Sequence, residues 1–289
     1  MPSEVTYQVV HTTRYAYREA VSVSHHVARV MPRVFPGQEC LRHELQIEPE
    51  PAIVRPHQDY FGNDVTFFIV ERAHKELTVR ATSTVTVQPR SLPPLASTPP
   101  WEEACDYDAL PLEAIECLFD SASIAVSDAV AGYAYPSFPP GRPLLEAVAD
   151  LIGRIHADFT FDPEATTIAT PLRDVLLHRR GVCQDFARLG IACLRSRGLS
   201  ARYVSGYLET QPPPGRPRLA GVDASHAWLA VYCPGLGWVD ADPTNDMFPS
   251  TTHVTLAWGR DYADVSPVRG VILGGGKHSL RVSVDVLRT

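Results

Sequence analysis

Arg179-Arg180-Gly181-Val182-Cys183-Gln184-Asp185-Phe186-Ala187-Arg188-Leu189-Gly190-Ile191-Ala192-Cys193-Leu194-Arg195-Ser196-Arg197-Gly198 is the stretch on which the fold turns. From Cys183 to Arg197 it reads as a helix. Val182, Phe186, Leu189 and Cys193 fall on one face, Ala187, Gly190 and Leu194 on the next. Only Gln184, Arg188 and Arg195 form a polar stripe, so the helix is expected to be largely buried. Gly198 is a fitting stop. Cys183 opens the first turn, where a thiol meets the positive end of the helix dipole and unpaired backbone N–H groups. Both favour the thiolate, and the same N–H groups can hold an oxyanion on an attacked carbonyl. Asp185 is read as complementing the helix start.

Outward from this helix the pattern stays mixed. Upstream, Leu110 to Phe119 and Pro143 to Phe159 carry apolar residues at helical spacing, and Arg173 to Arg180 reads as a short helix ended by Gly181. Downstream, Ala201–Leu208, Ala224–Tyr232 and Trp238–Ala241 read as strands, with Gln211 to Pro217 an exposed Pro-rich loop between the first two. Leu280, Val282, Val284 and Val286 alternate as a last strand. Helices first, then an antiparallel sheet, make residues 104–289 an α+β unit. Residues 1–90 differ. Val5 to Tyr17, Leu41 to Ile47 and Leu77 to Val87 alternate with period two, which suggests an antiparallel β-sandwich. Residues 91–103, with Pro93, Pro94, Pro99 and Pro100, read as a linker.

A nucleophilic thiol needs a base. His226 stands at the start of an apolar strand, in Ser225-His226-Ala227-Trp228, where an imidazole is either a satisfied core group or a catalytic one. Asp242 ends the next strand and precedes Pro243-Thr244. There it is either a turn residue before proline or the carboxylate that orients the imidazole. Cysteine on a helix, histidine on one strand and aspartate on the next is the order that papain-like folds use, and the combination is far more specific than any member.

Gly181-Val182-Cys183-Gln184-Asp185-Phe186-Ala187, Ala201-Arg202-Tyr203-Val204-Ser205-Gly206-Tyr207, His226-Ala227-Trp228 and Gly237-Trp238 through Asp242-Pro243-Thr244 resemble the bacterial transglutaminase-like superfamily. His11 to Tyr15, Pro32, Gln38 and Asp59 to Asn63 are similar to the β-domain that accompanies this core in bacteria. Gly259 to Pro267 also resembles these two-domain relatives. The resemblance implies a papain-like, transglutaminase-like core, with Cys183 as nucleophile, His226 as base and Asp242 as orienting carboxylate. Such bacterial relatives are regarded as cysteine proteases or amidases. The implied reaction is attack on a peptide or carboxamide carbonyl through a thioester, resolved by water or, in a true transglutaminase, by an amine. A non-catalytic peptide-binding module on the same fold is the reading from another class; the intact Cys183, His226 and Asp242 argue against it.

Further candidates are weaker. Trp228 and Trp238 could shield the site or be plain core. Tyr207 could lend its hydroxyl to the oxyanion, or simply be a buried tyrosine with a partner. Arg260 and Asp261 could line a substrate groove or form an ordinary ion pair.

Composition narrows the partners. The chain has 289 residues, 45% hydrophobic and 20% charged, with a net charge of −7. No apolar run reaches the roughly 18–20 residues that a membrane span needs, and no secretory signal opens the chain, so a cytoplasmic location is expected. The basic residues form no stripe for nucleic acid. No cofactor is expected, and no metal, since His25-His26 has no spaced partners. Of the six cysteines, most are expected to be small buried free thiols, with Cys183 set apart by its surroundings. A peptide or protein substrate is the expected partner; the sequence does not give the oligomeric state.

Overall fold

A computed structural model describes residues 4–209 and 225–289; the Gln211 to Pro217 stretch lies outside them. The first strands are β1 (Val5–Ala28), β2 (Gln38–Glu48), β3 (Ile53–Gln58), β4 (Asp64–Val70) and β5 (His74–Val87). Then follow α1 (Leu112–Ile115), α2 (Asp128–Ala134), α3 (Leu144–Asp158), β6 (Thr160–Phe161), α4 (Leu172–His178), β7 (Arg180–Gly181) and α5 (Cys183–Ser196). The chain ends with β8 (Ala201–Leu208), β9 (Ser225–Cys233), β10 (Gly237–Ala241), β11 (His253–Gly259), α6 (Tyr262–Val265), β12 (Val268–Gly274) and β13 (His278–Arg288). No described helix is long and apolar enough to cross a membrane.

The sandwich is one antiparallel seven-stranded sheet bent across its middle. The 24-residue β1 is its spine. Its first half pairs with β5 and β13, from Val5↔Val87 and Tyr7↔Arg288, and its second half with β4 and β12, up to Ala28↔Thr66 and Ala28↔Val268. The registers make β4 and β5 one interrupted strand, and β12 and β13 another. All three long strands break at one level: Ala16–Val21, Glu71–Ala73 and Gly275–Lys277. The bend lets Phe68, Val70 and Val21 pack against Leu77, Val79 and Ala81 in a single core.

The last two strands therefore belong to the first sheet, although residues 104–289 were expected as one unit. The alternation of Leu280 to Val286 revealed the strand but not its partner. The expected linker is docked rather than free. Trp101 donates its N–H to Arg142 O (3.0 Å), Leu144 donates to Pro99 O (2.8 Å), and Leu92, Leu95 and Trp101 pack on the main core. That core is shared: Tyr7, Val9, Val87, Val284 and Val286 of the bent sheet join residues of α3, α5 and β8.

The second sheet has the order β10-β9-β8-β11, with α5 packed on β9 and β8. Every residue of α5 from Asp185 to Arg195 is buried. The expected polar stripe is a correction here: Gln184 is partly exposed, but Arg188 and Arg195 are inside. Backbone carbonyls accept their guanidinium N–H groups. Arg188 donates to Ser123 O (2.7 Å) and Thr170 O (3.1 Å), and Arg195 to Cys117 O (2.9 Å), Ala201 O (3.0 Å) and Arg260 O (2.7 Å). Buried guanidinium is tolerated when its donors are used in this way. Gly198, at φ 76°, ends the helix with the paired bonds Leu199 N–H to Leu194 O and Gly198 N–H to Arg195 O, both 3.0 Å. By contrast α4 ends at Arg179, itself left-handed at φ 54°, rather than at Gly181. The helix expected from Leu110 shrinks to α1 and a following 3-10 turn at Glu116–Leu118.

One edge of the second sheet is closed by side chains. Gln38 exchanges two bonds with the Thr255 backbone, both 2.7 Å, and Asn63 exchanges two with Trp258, at 2.9 and 3.0 Å. Amide side chains thus substitute for a neighbouring strand along β11, which otherwise would offer unpaired backbone groups.

Candidate active site

The first turn of α5 is set by Asp185. Its Oδ2 accepts the Val182 N–H at 3.0 Å and the Thr166 hydroxyl at 2.6 Å, so a charge buried to 1% exposure is fully engaged at the helix start. Gly181 makes room for it: a Cβ there would stand 2.8 Å from that oxygen. Cys183 follows as the first helical residue, partly exposed. The Asp185 N–H turns back to Val182 O (2.9 Å), while the helix itself provides no acceptor for the N–H groups of Cys183 and Gln184.

His226 is the second residue of β9, and Asp242 follows β10, the strand paired with β9 in register Ala241↔Leu229. The imidazole Nε2 donates to Asp242 Oδ2 at 2.7 Å. That carboxylate is a hub. Oδ2 also receives His253 Nε2 at 3.0 Å and Asn245 Nδ2 at 2.7 Å, while Oδ1 receives the backbone N–H groups of Thr244 (2.8 Å) and Asn245 (3.3 Å). Burial would push the Asp242 carboxyl up, but the bonds and charges of His226 and His253 hold it far below the usual carboxylate range. Burial likewise would press the His226 imidazole down. Hydrogen bonds to Asp242 and Cys183, and the charges of both, outweigh it and raise the pKa to about 10. With Nε2 committed to Asp242, the other ring nitrogen is left for the thiol.

Cys183 and His226 open on one cavity of about 480 Å³ between the two sheets. Tyr203 and Ser205 of β8 form one side. His11, Thr13 and Tyr15 of β1, with Leu280, Val282 and Val284 of β13, form the other. The bent sheet is thus a wall of the site. None of the described lining residues is Asp, Glu, Lys or Arg. Burial lowers the pKa of His11 to about 4, and its ring is fixed by Thr13 Oγ1 (2.8 Å) and the Tyr207 hydroxyl (3.0 Å).

The structure brings Cys183, His226 and Asp242 together, and none of the five weaker candidates lines their cavity; Trp238 lines a different one. Tyr207 is fully buried with its hydroxyl at His11, away from the thiol. Trp228 lies beneath the triad, its ring 6.0 Å from that of His226 and 5.1 Å from that of His253. Arg260 pairs with Asp264 at 3.0 Å beside a different cavity. Asp261 is buried and caps α6 through the Ala263 N–H. Two members of the hub, His253 and Asn245, went unrecognised. His253 is the first residue of β11 and His226 the second of β9, and this nearness to a strand start is the one signal available among 11 histidines.

Comparison with known proteins gives the family. The bacterial transglutaminase-like N-terminal region matches residues 7–86, and the transglutaminase-like superfamily matches residues 137–243. An uncharacterised protein of Mycobacterium tuberculosis is 44% identical over 289 residues, covering 97% of this chain and 92% of that one. The protein-glutamine gamma-glutamyltransferase of Pseudomonas aeruginosa is 30% identical over 155 residues, 45% of this chain and 23% of the enzyme. Among solved structures, a candidate cysteine protease of Cytophaga hutchinsonii superposes with a TM-score of 0.77 at 21% identity, covering 99% of this chain and 91% of its own.

Proposed function

The chain belongs to the transglutaminase-like superfamily, and from that premise we propose that it is a cysteine amidase or peptidase acting through a thioester. The observation that carries the reading is the 2.7 Å hydrogen bond from His226 to Asp242 beside a cavity on which both His226 and Cys183 open. In the proposed sequence the Cys183 thiolate adds to a peptide or carboxamide carbonyl, and first-turn N–H groups of α5 receive the oxyanion. His226 delivers its proton to the leaving amine as the C–N bond breaks, leaving a thioester on Sγ. Water, deprotonated by His226, then adds to the thioester and releases the acid and the thiol. Asp242 keeps the ring oriented and offsets its charge.

Amine transfer is the second reading, favoured by the similarity to the glutamyltransferase over 45% of the chain. A lysine arriving as its ammonium meets no carboxylate among the described residues of the cavity, which supports water as the acceptor. The test is a panel of fluorogenic peptide amides and carboxamides incubated with the chain and with Cys183→Ala. Turnover of at least one substrate, abolished in the variant, is the expected result. A panel cleaved equally by both proteins overturns the reading.

A further inference from the structure

A second cavity, about 920 Å³, opens on the other face of the second sheet, and neither Cys183 nor His226 lines it. Alternation along β8 explains the separation. Tyr203 and Ser205 face the reactive thiol, while Arg202 and Val204 point the opposite way. Arg202 lines this cavity with its guanidinium carbon 3.8 Å from the ring centre of Trp258 and 4.3 Å from that of Trp238.

Arg202 is only 9% exposed. Among the described residues no hydrogen bond or ion pair reaches its side chain, and its Nε is buried without a partner. The carboxylates at the rim are engaged elsewhere. Asp240 is held by Arg90 at 2.7 Å, Glu113 accepts the Trp238 indole N–H at 3.3 Å, and Glu116 accepts the Tyr60 hydroxyl. A second guanidinium lies alongside. Arg33 lies 3.6 Å from the Trp258 ring centre, gives one N–H to Asn63 at 2.7 Å, and also leaves its buried Nε unpaired. Burial lowers the pKa of Arg202 to about 9 and of Arg33 to about 10, against the opposing charges of Asp240 and Glu113 on the first and of Asp59, Asp64 and Glu113 on the second. Tryptophan faces attract a cation, yet they offer no acceptor for N–H groups, and a buried charge without one is costly.

We propose that this cavity binds a carboxylate carried on an apolar body, with Arg202 as its principal anchor and Arg33 as the second. The flat guanidinium fork matches a carboxylate in bidentate fashion. A phosphate dianion fits less well, because Glu113, Glu116 and Asp240 stand at the same rim. Leu112 and Leu236, 70% and 45% exposed, supply apolar contact for the body. The volume lies within the usual range for small-molecule sites, roughly 300–1,000 Å³. The site does not depend on the chemistry proposed for Cys183.

The experiment titrates benzoate, its neutral amide benzamide, and inorganic phosphate into the full chain, using calorimetry and the arginine Nε–H signals in ¹⁵N NMR. Benzoate should bind and shift the Arg202 and Arg33 signals, with benzamide and phosphate at least about tenfold weaker, the worth of a charged bidentate contact. Arg202→Gln should weaken benzoate about tenfold or more, and Arg33→Gln by a smaller factor. Arg202→Lys, which keeps charge and stem, should also weaken it, because the fork is lost. If Arg202→Gln does not fold, Arg33→Gln and Arg202→Lys carry the test. Equal binding of benzoate and benzamide, tighter binding of phosphate, no benzoate binding at about 10 mM, or unchanged binding in the folded variants overturns the proposal.

Discussion

His226 and His253 meet on a single oxygen: their Nε2 atoms lie 2.7 and 3.0 Å from Asp242 Oδ2, on two strands that enter from opposite sides of the site. His253 is 3% exposed, and its Nδ1 is 3.0 Å from Thr252 Oγ1. The second histidine thus acts on His226 through the carboxylate that both share. It is a positioning residue, fixing the oxygen to which the His226 imidazole donates.

Removing that donor should therefore slow turnover without weakening substrate binding. For His253→Leu the expected loss in kcat is about tenfold, with KM little changed and stability lower by about 1–3 kcal/mol, the cost of leaving a buried acceptor short of a bond. His253→Gln, which can still donate, should recover most of both. The acid limb of the pH–rate profile should also move to higher pH in the leucine variant, since His253 helps hold Asp242 ionised. A purely structural role would lower stability and leave that limb in place.

The six thiols should separate sharply under alkylation. Burial pushes Cys117 and Cys233 up to about 11 and Cys193 up to about 12, and it raises Cys40 and Cys105 as well. Cys183 instead opens on the cavity at the start of α5, beside the His226 imidazole. Iodoacetamide at pH 6 should modify Cys183 first, and His226→Ala should slow that reaction by about tenfold or more. Mass spectrometry after limited labelling reads the site; uniform labelling of all six would count against the nucleophile.

The parts of this site that were legible in the sequence are those whose chemistry is local. Cys183 was readable because helical spacing placed it at a helix start, and His226 and Asp242 because each stood at a strand end. Arg188 and Arg195 misled because periodicity records polarity, whereas burial depends on whether distant carbonyls such as Ser123 O and Cys117 O accept the guanidinium. The pairing of β13 with β1 joins residues some 270 positions apart, and no local pattern encodes such a register. Gln38 and Asn63 stood out as part of a resemblance, but their work, closing the edge of β11, emerges only in three dimensions.

That edge offers a stability test far from the chemistry. Gln38→Ala removes both bonds to the Thr255 backbone and the bond to Arg33 O (2.7 Å). Thr255 O keeps the Arg33 N–H (3.1 Å), but the Thr255 N–H loses its acceptor, so the expected cost is about 1–3 kcal/mol. Gln38→Glu, which retains one acceptor and loses the donor, should cost at least as much. Urea unfolding measures both, and a change below about 0.5 kcal/mol, the level of an ordinary surface substitution, would show that β11 does not need this closure.

The pH dependence of stability should carry the signature of His226. Its pKa in the folded chain is raised to about 10, above the value of about 6.5 for an unfolded histidine, so the folded state holds the proton more tightly. The resulting stabilisation is fully present below about pH 6.5 and is lost as pH rises through the folded value near 10. Thermal unfolding followed from pH 6 to 10 should show a steeper decline for the parent chain than for His226→Gln. Parallel curves would mean that the imidazolium is not stabilised in the fold.

The choice between water and an amine rests on which nucleophile reaches the thioester, since both reactions share the same first half. A transglutaminase must hold its amine in line with the acyl carbon against water at about 55 M, and positioned groups reach effective molarities well above that. The described cavity walls are aliphatic and hydroxylic, with Leu280, Val282, Thr13 and Ser205 and no carboxylate to gather an ammonium. Hydrolysis is therefore the expected outcome. A reactive amide or ester substrate supplied with increasing amine distinguishes the two when acid and adduct are both quantified. Acid that remains the main product at millimolar amine supports the amidase. Saturable, near-complete conversion to the amine adduct, abolished in Cys183→Ala, would make the chain a transferase. The same partition measured in Leu280→Glu is a sharper probe, because a carboxylate placed on that wall should shift the products toward the adduct if ammonium recruitment is what the cavity lacks.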